Sequence, residues 1–140
     1  PIPGQVIRYS YLWRSEYLRG HEEGVKDRPC VVVLLLANEE GDQVVTVLPV
    51  THTPPSDPAM AVEIPHATKQ RLGLDDERSW VVLTEANRFT WPGPDLSMSV
   101  RGDPASVVYG ELPAKLFVEI RNRFIAAITA GKTEPVRRTQ

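Results

Sequence analysis

Apolar and polar positions alternate at the start of the chain, merge into a continuous apolar run soon after, and change to a three-four repeat near the end. The opening stretch Gly4–Trp13, GQVIRYSYLW, sets Val6, Arg8, Ser10 and Leu12 against Ile7, Tyr9, Tyr11 and Trp13 and is rich in β-formers, which predicts a strand. The polar segment from Arg14 to Asp27 carries Gly20 and Gly24. It is too long for a tight hairpin, so it reads as a loop of the functional or mobile kind. PCVVVLLLAN, beginning at Pro29, has no alternation, the pattern of a strand buried on both faces, with proline at the first position where a missing N–H costs least. Gly41 and Asp42 mark a turn within Glu39–Gln43, and Val44–Thr53 runs back as the second arm of a hairpin. Pro54–Pro58 then reads as a loop.

MAVEIP, Met60–Pro65, predicts another short strand, and His66–Gly73 has the length and terminal glycine of a short helix. Ser79–Glu85 predicts a further strand, with Trp80 and Val82 opposed to Val81 and Leu83. Beyond it Pro92, Gly93 and Pro94 end any ladder. From Pro113 to Ala130 the period changes: Phe117, Ile120, Phe124 and Ile128 recur at spacings of three and four, between a proline suited to a first turn and Gly131. The pattern predicts a small, highly curved antiparallel sheet with helices packed on it. One domain over residues 1–131 is expected, followed by a loose tail over residues 132–140 that has nothing to bury.

Composition narrows the picture without changing it. At 140 residues and 41% hydrophobic content the chain suits one core. No stretch approaches the ~20 consecutive apolar residues of a membrane-spanning helix, and the start lacks a signal-peptide pattern, so the expectation is a cytoplasmic protein without a membrane partner. The lone Cys30 can form neither an internal disulfide nor a thiolate zinc site and reads as a buried, inert thiol. A net charge of -2 offers no global sign of a nucleic-acid partner. Locally, Arg8, Arg14, Arg19, Lys26 and Arg28 crowd the first fifth of the chain, and a basic face can focus an anionic ligand.

No glycine-rich phosphate loop and no Gly-x-Ser-x-Gly elbow is present. His21, His52 and His66, taken with Glu63 or Glu85, show none of the spacings that metal sites use, so neither a metal nor a cofactor is expected. Two strand ends do converge. In an antiparallel hairpin the start of the first arm lies beside the end of the second, which makes Arg28 and Thr51 neighbours at one sheet edge. An arginine fork beside a hydroxyl suits a phosphate or a carboxylate. The alternative is a surface ion pair of Arg28 with Glu22, Glu23 or Asp27, worth at most ~1 kcal/mol, with Thr51 chosen for strand propensity alone.

The stretches GQVIRYSYL, GHEEGVKDRPCVVVLL, VVTVLPVTHT and VVLTEANRFT, in that order, resemble the MazF/PemK (Kid) family of toxin endoribonucleases from bacterial toxin–antitoxin systems. The resemblance covers most of Gly4–Thr90. It implies a mainly β fold, an SH3-like small barrel of antiparallel strands with a C-terminal α-helix (CcdB/PemK-like), usually as a homodimer. It also implies metal-independent cleavage of single-stranded RNA by 2′-OH attack, leaving 2′,3′-cyclic phosphate and 5′-OH ends, and growth inhibition until an acidic antitoxin binds. The antitoxin complex would bind DNA.

By position, Arg28 matches the family's phosphate-stabilising arginine and Thr51 its threonine. His21 matches a histidine of the PemK branch, and Glu85 an acidic residue proposed there as the base. Lys26, Thr53, Arg88 and Trp91 are the expected RNA contacts, with Trp91 able to stack a base or to serve the core. The chain departs from the pattern in having VKD between Gly24 and Arg28, where one residue is usual, and Leu83 where the PemK branch has an arginine. A different class of function on the same barrel is a non-catalytic binding protein: an inactive antitoxin-binding module, or a gyrase poison acting through its C-terminal residues. The tail VRRTQ lacks the apolar, tryptophan-bearing end of such a poison.

Overall fold

The apolar run and its returning arm form the hairpin on which the sheet is built. The computed structural model describes residues 1–20, 27–91 and 107–138. In it β2 (Arg28–Ala37) pairs antiparallel with β3 (Gln43–Thr51), with Cys30 opposite Pro49 and Val32 opposite Val47, and a bulge between Val32 and Leu34. The connecting turn is closed by the Asn38 side chain, whose Oδ1 accepts from the backbone N–H groups of Glu40 (3.0 Å) and Asp42 (2.9 Å). Gly41 supplies the left-handed residue, φ 84°. Cys30–Val33 are buried on both faces as the pattern predicted, whereas Leu34 (42%) and Leu36 (49%) are exposed. The reason is length: β1 (Gln5–Tyr9) covers only Arg28–Val31, so the far half of the hairpin extends past its neighbour.

The remaining strands are β4 (Ala61–Glu63), β5 (Trp80–Val82), β6 (Asn87–Thr90), β7 (Val108–Glu111) and β8 (Val136–Arg137). The order is β4-β5-β3-β2-β1-β7, with β6 pairing with β3 and β8 running parallel to β6. The second edge of β3 is thus shared: β6 covers Val44–Val47 and β5 covers Val50 and Thr51. The result is the expected mainly antiparallel sheet with a C-terminal helix, but it does not close into a ring among the described residues. Its ends, β4 and β7, are bridged by α2 (His66–Leu72), where Arg71 Nη2 donates to the Glu111 carbonyl at 2.7 Å. Leu72 packs so closely on Gly110 that a Cβ there would lie 2.7 Å from its Cδ2.

Alternation along β1 divides the core between the two faces of the sheet. Val6 joins Val31, Leu48, Val50 and Val81 on one face, under Ile120, Phe124 and Ala127 of α3 (Ala114–Thr129). Ile7 and Tyr9 join Cys30, Val32, Val47 and Phe89 on the other, where Tyr9 stacks on Phe89 at 4.4 Å. Ala127 rather than Ile128, which is exposed, continues the buried stripe of the helix. Cys30 is fully buried, which pushes its thiol pKa well up, away from the reactive thiolate. Ile120→Ala is expected to cost about 2–5 kcal/mol by leaving a cavity between helix and sheet. Urea unfolding against exposed Lys115→Ala, expected within about 0.5 kcal/mol of wild type, checks it.

Several sequence expectations are corrected. The first strand ends at Tyr9, not Trp13, because the backbone N–H and C=O of Leu12 are both taken by the Asn87 side chain (2.8 Å each) instead of a neighbouring strand. The polar segment from Arg14 begins as a helix, α1 (Arg14–Leu18), started by Glu16 Oε1 accepting from the Trp13 N–H at 3.1 Å. The strand expected over Ser79–Glu85 shortens to β5, and β6 and β7 emerge where no strand was foreseen. The segment expected as a loose tail is instead packed through Arg138. Val136 N–H donates to the Ala86 carbonyl and Arg138 N–H to the Arg88 carbonyl, both at 2.8 Å, and the side chains of Thr133, Val136 and Arg138 are buried. Three buried side chains in an otherwise polar stretch make no period that could signal this.

Candidate active site at the Arg28–Thr51 edge

Arg28 begins β2 and Thr51 ends β3, and the register that sets Cys30 opposite Pro49 carries them to facing positions at the edge of the sheet. The Arg28 guanidinium lies over the Trp13 ring, 4.8 Å from its centroid. Its Nη1 is 3.5 Å from the Val50 carbonyl, the long limit of a hydrogen bond, and its Nε is buried with no partner among the described residues. Among those residues it forms no ion pair, Asp27 included; Glu22 and Glu23 lie outside them. A guanidinium held by stacking keeps most of its donors for a ligand.

Thr51 Oγ1 accepts from the Thr53 N–H at 3.1 Å, so its own proton is left to donate. Trp13, Thr51, Thr53, Val82 and Thr84 line one groove of about 530 Å³, walled on its far side by the Pro54–Asp57 loop. Glu85 follows Thr84 in the chain and bonds the residues that flank Leu12 and Trp13. Its Oε1 accepts from the Tyr11 hydroxyl and from the Arg14 backbone N–H, both at 3.1 Å. Burial raises the pKa of Glu85 above the usual carboxylate range, against the opposing pull of these two hydrogen bonds. Burial and the neighbouring Glu85 together raise Tyr11 well above its usual value, so it stays protonated and serves as a donor.

Trp13, which sequence reasoning placed on a strand and gave no role, links these residues: Arg28 stacks on its ring, Thr51 and Thr53 share its groove, and Glu85 bonds Tyr11 and Arg14 beside it in the chain. Its signal was a large aromatic at the point where the apolar alternation meets the polar segment. Arg88 and Trp91 are not part of this group. Arg88 sits opposite Thr46 and lines a separate groove of about 760 Å³ with Tyr17, Leu36, Phe89 and Arg137. Trp91 donates its backbone N–H to the Gln43 carbonyl, at the other end of β3, roughly 25 Å from Thr51 at ~3.3 Å per strand residue. Its ring packs against Phe89, 6.4 Å between centroids. His21 and Lys26 lie outside the described residues.

On the opposite side of Thr51, His52 Nε2 is 2.9 Å from Asp75 Oδ2 and 3.4 Å from Glu77 Oε2, a grouping the sequence spacing did not reveal. A buried cation supports this group from below: Lys69 donates from Nζ to Asp75 Oδ1 (2.7 Å), Ser79 Oγ (2.6 Å) and the Glu77 carbonyl. The hydrogen bond from Lys69 is the main cause that lowers the Asp75 pKa. Lys69→Met is expected to destabilise by about 1–3 kcal/mol through the unpaired buried oxygens, with half-exposed Asp75 rehydrated at little cost. Urea unfolding would show it, and an unchanged midpoint would count against this reading.

No relative among curated proteins matches the chain. A family model does match over residues 11–89, more than half of the chain, a stretch that includes Trp13, Arg28, Thr51 and Glu85. By that match the chain belongs to the PemK-like, MazF-like toxins of type II toxin–antitoxin systems.

Proposed function

We propose that this toxin acts as a metal-independent endoribonuclease on single-stranded RNA. The observation that carries the reading is an arginine with unused donors stacked on Trp13, a threonine with a free proton lining the same groove as Trp13, and a carboxyl of raised pKa bonded to Tyr11 and Arg14 beside it in the chain. In its carboxylate form Glu85 takes the proton of a ribose 2′-OH through Oε2, since Oε1 is occupied by Tyr11 and Arg14. The 2′ oxygen then bonds to the adjacent phosphorus as the bond to the 5′ oxygen breaks, which gives a 2′,3′-cyclic phosphate and a 5′-OH.

Arg28 and the Thr51 hydroxyl stabilise the charge that grows on the phosphate oxygens. The 5′ oxygen must gain a proton as it leaves. Leu83, at the family's arginine position, is fully buried and has no donor, so this proton comes from Arg28 or from His21. Dependence on the 2′-OH makes RNA the substrate and DNA inert.

A homodimer in the cytoplasm, held inactive by an acidic antitoxin over the Arg28 edge, completes the proposal. No helix among the described residues is long and apolar enough to cross a membrane. The competing reading, a poison acting through its C-terminal residues, fits poorly with Val136 and Arg138 being buried. Incubation with a long single-stranded RNA in EDTA tests the proposal. Cleavage with cyclic phosphate ends, absent on the all-deoxy analogue, supports it; intact RNA at high protein excess overturns it.

A further inference from the structure

Residues 133–138 lie outside the stretch that matches the family, and the proposed reaction does not use them. They nevertheless reach both walls of the candidate site. On the Glu85 side, Thr133 Oγ1 donates to the Leu83 carbonyl at 2.5 Å and Val136 N–H to the Ala86 carbonyl at 2.8 Å, one tether on each flank of Glu85. On the Trp13 side, Arg138 Nη1 donates to the Ser10 carbonyl at 2.7 Å, and Glu134 pairs with Arg14 at 2.7 Å.

The two sides meet at Asn87, which is fully buried. Its Oδ1 accepts from the Leu12 N–H (2.8 Å) and from Arg138 Nη1 (3.2 Å), while its Nδ2 donates to the carbonyls of Leu12 (2.8 Å) and Ala86 (3.1 Å). Arg138 is only 4% exposed, and its guanidinium lies 5.2 Å from the Tyr9 ring centroid.

Residues 10–13 belong to no strand, so their path depends on these side chains. An apolar pair could fill the space beside Tyr9 and Phe89 equally well, but it would not hold the backbone at Ser10 and Leu12 in one place. Buried polar networks whose groups have only each other to bond enforce a single geometry in this way. We infer that Arg138 and Asn87 are positioning residues of the active site, holding Ser10–Arg14 so that the Tyr11 hydroxyl and the Arg14 N–H meet Glu85 Oε1 and Trp13 stays beneath Arg28. The consequence for catalysis rests on the function proposed above; the consequence for Glu85 itself does not.

The test uses the full chain as wild type, Arg138→Lys and Arg138→Met, with three readouts: thermal unfolding, titration of the Glu85 carboxyl by carbon-13 NMR, and single-turnover RNA cleavage. The groups facing Glu85 are Tyr11, Arg14 and Glu16. In either variant that remains folded, Glu85 is expected to titrate away from its wild-type value, because the burial that raises it and the Tyr11 and Arg14 hydrogen bonds that lower it both depend on this geometry, and cleavage to fall by about 10²-fold with KM little changed, since misplacement of this kind acts on the reacting geometry. Arg138→Lys keeps the charge without the fork, so it stays informative if Arg138→Met fails to fold. A folded Lys variant whose Glu85 titration and cleavage rate both match wild type overturns the inference. If wild-type protein leaves RNA intact, the proposed function falls, and the Glu85 titration alone then decides the positioning role.

Discussion

Arg28→Ala is expected to lower the single-turnover rate of RNA cleavage by about 10²–10³-fold, the usual loss when one donor to a developing oxyanion is removed. The donors of Arg28 are largely unused in the free protein, with only a 3.5 Å approach to the Val50 carbonyl among the described residues, so they are available where phosphate charge grows. Arg28→Lys should rescue little. A lysine has one compact ammonium in place of a planar fork, and the stacking on Trp13 depends on that plane. The fold should survive the alanine change within about 1 kcal/mol. The lost stacking is offset by removal of a buried, unpartnered Nε, and sites of this kind commonly cost stability for function. A rate within a few-fold of wild type, in a variant with an unchanged melting curve, would remove Arg28 from the mechanism.

Glu85→Gln separates catalysis from stability more sharply. Cleavage is expected to fall by about 10²–10⁴-fold, because an amide cannot take the 2′-OH proton. Glutamine keeps an Oε1 that can accept from the Tyr11 hydroxyl and the Arg14 N–H, so the local packing is preserved. At neutral pH the variant should be as stable as wild type or more so. The pKa of Glu85 is raised in the folded protein, so between the unfolded and folded values the native state holds more protons than the unfolded one, and wild-type stability falls as pH rises through that window. Glutamine carries no such cost. Melting curves should differ most at neutral pH and converge as the pH drops below the unfolded carboxylate value. A variant less stable than wild type at neutral pH, with the gap closing in acid, would show that the charged carboxylate is stabilising and would contradict the burial argument.

Both predictions depend on positions of unequal legibility in the sequence. The hairpin and the terminal helix were readable because each has a strong period and clear punctuation: ten residues in β2, nine in β3, and sixteen in α3 between Pro113 and Gly131. The neighbouring positions of Arg28 and Thr51 followed from the hairpin alone, since antiparallel pairing leaves no other arrangement of its ends. Short strands were less legible. β6, β7 and β8 have between two and four residues each, and strands so short are made by their partners' hydrogen bonds rather than by any pattern of their own.

What the sequence determined unaided is therefore the local and periodic part: the hairpin, the buried Cys30, the helix, and the edge that sets Arg28 beside Thr51. Tertiary structure decided which other residues reach that edge. Trp13 enters the site because the Asn87 side chain, distant in sequence, ends β1 early and turns Tyr11–Trp13 toward Glu85. Arg88 and Trp91 stay out of it because β6 pairs with the other end of β3. The segment expected to be loose binds both walls through the side chains of Thr133 and Arg138 and the backbone N–H of Val136. Each of these outcomes rests on hydrogen bonds between residues forty or more positions apart, and contacts of that kind leave no period in the chain.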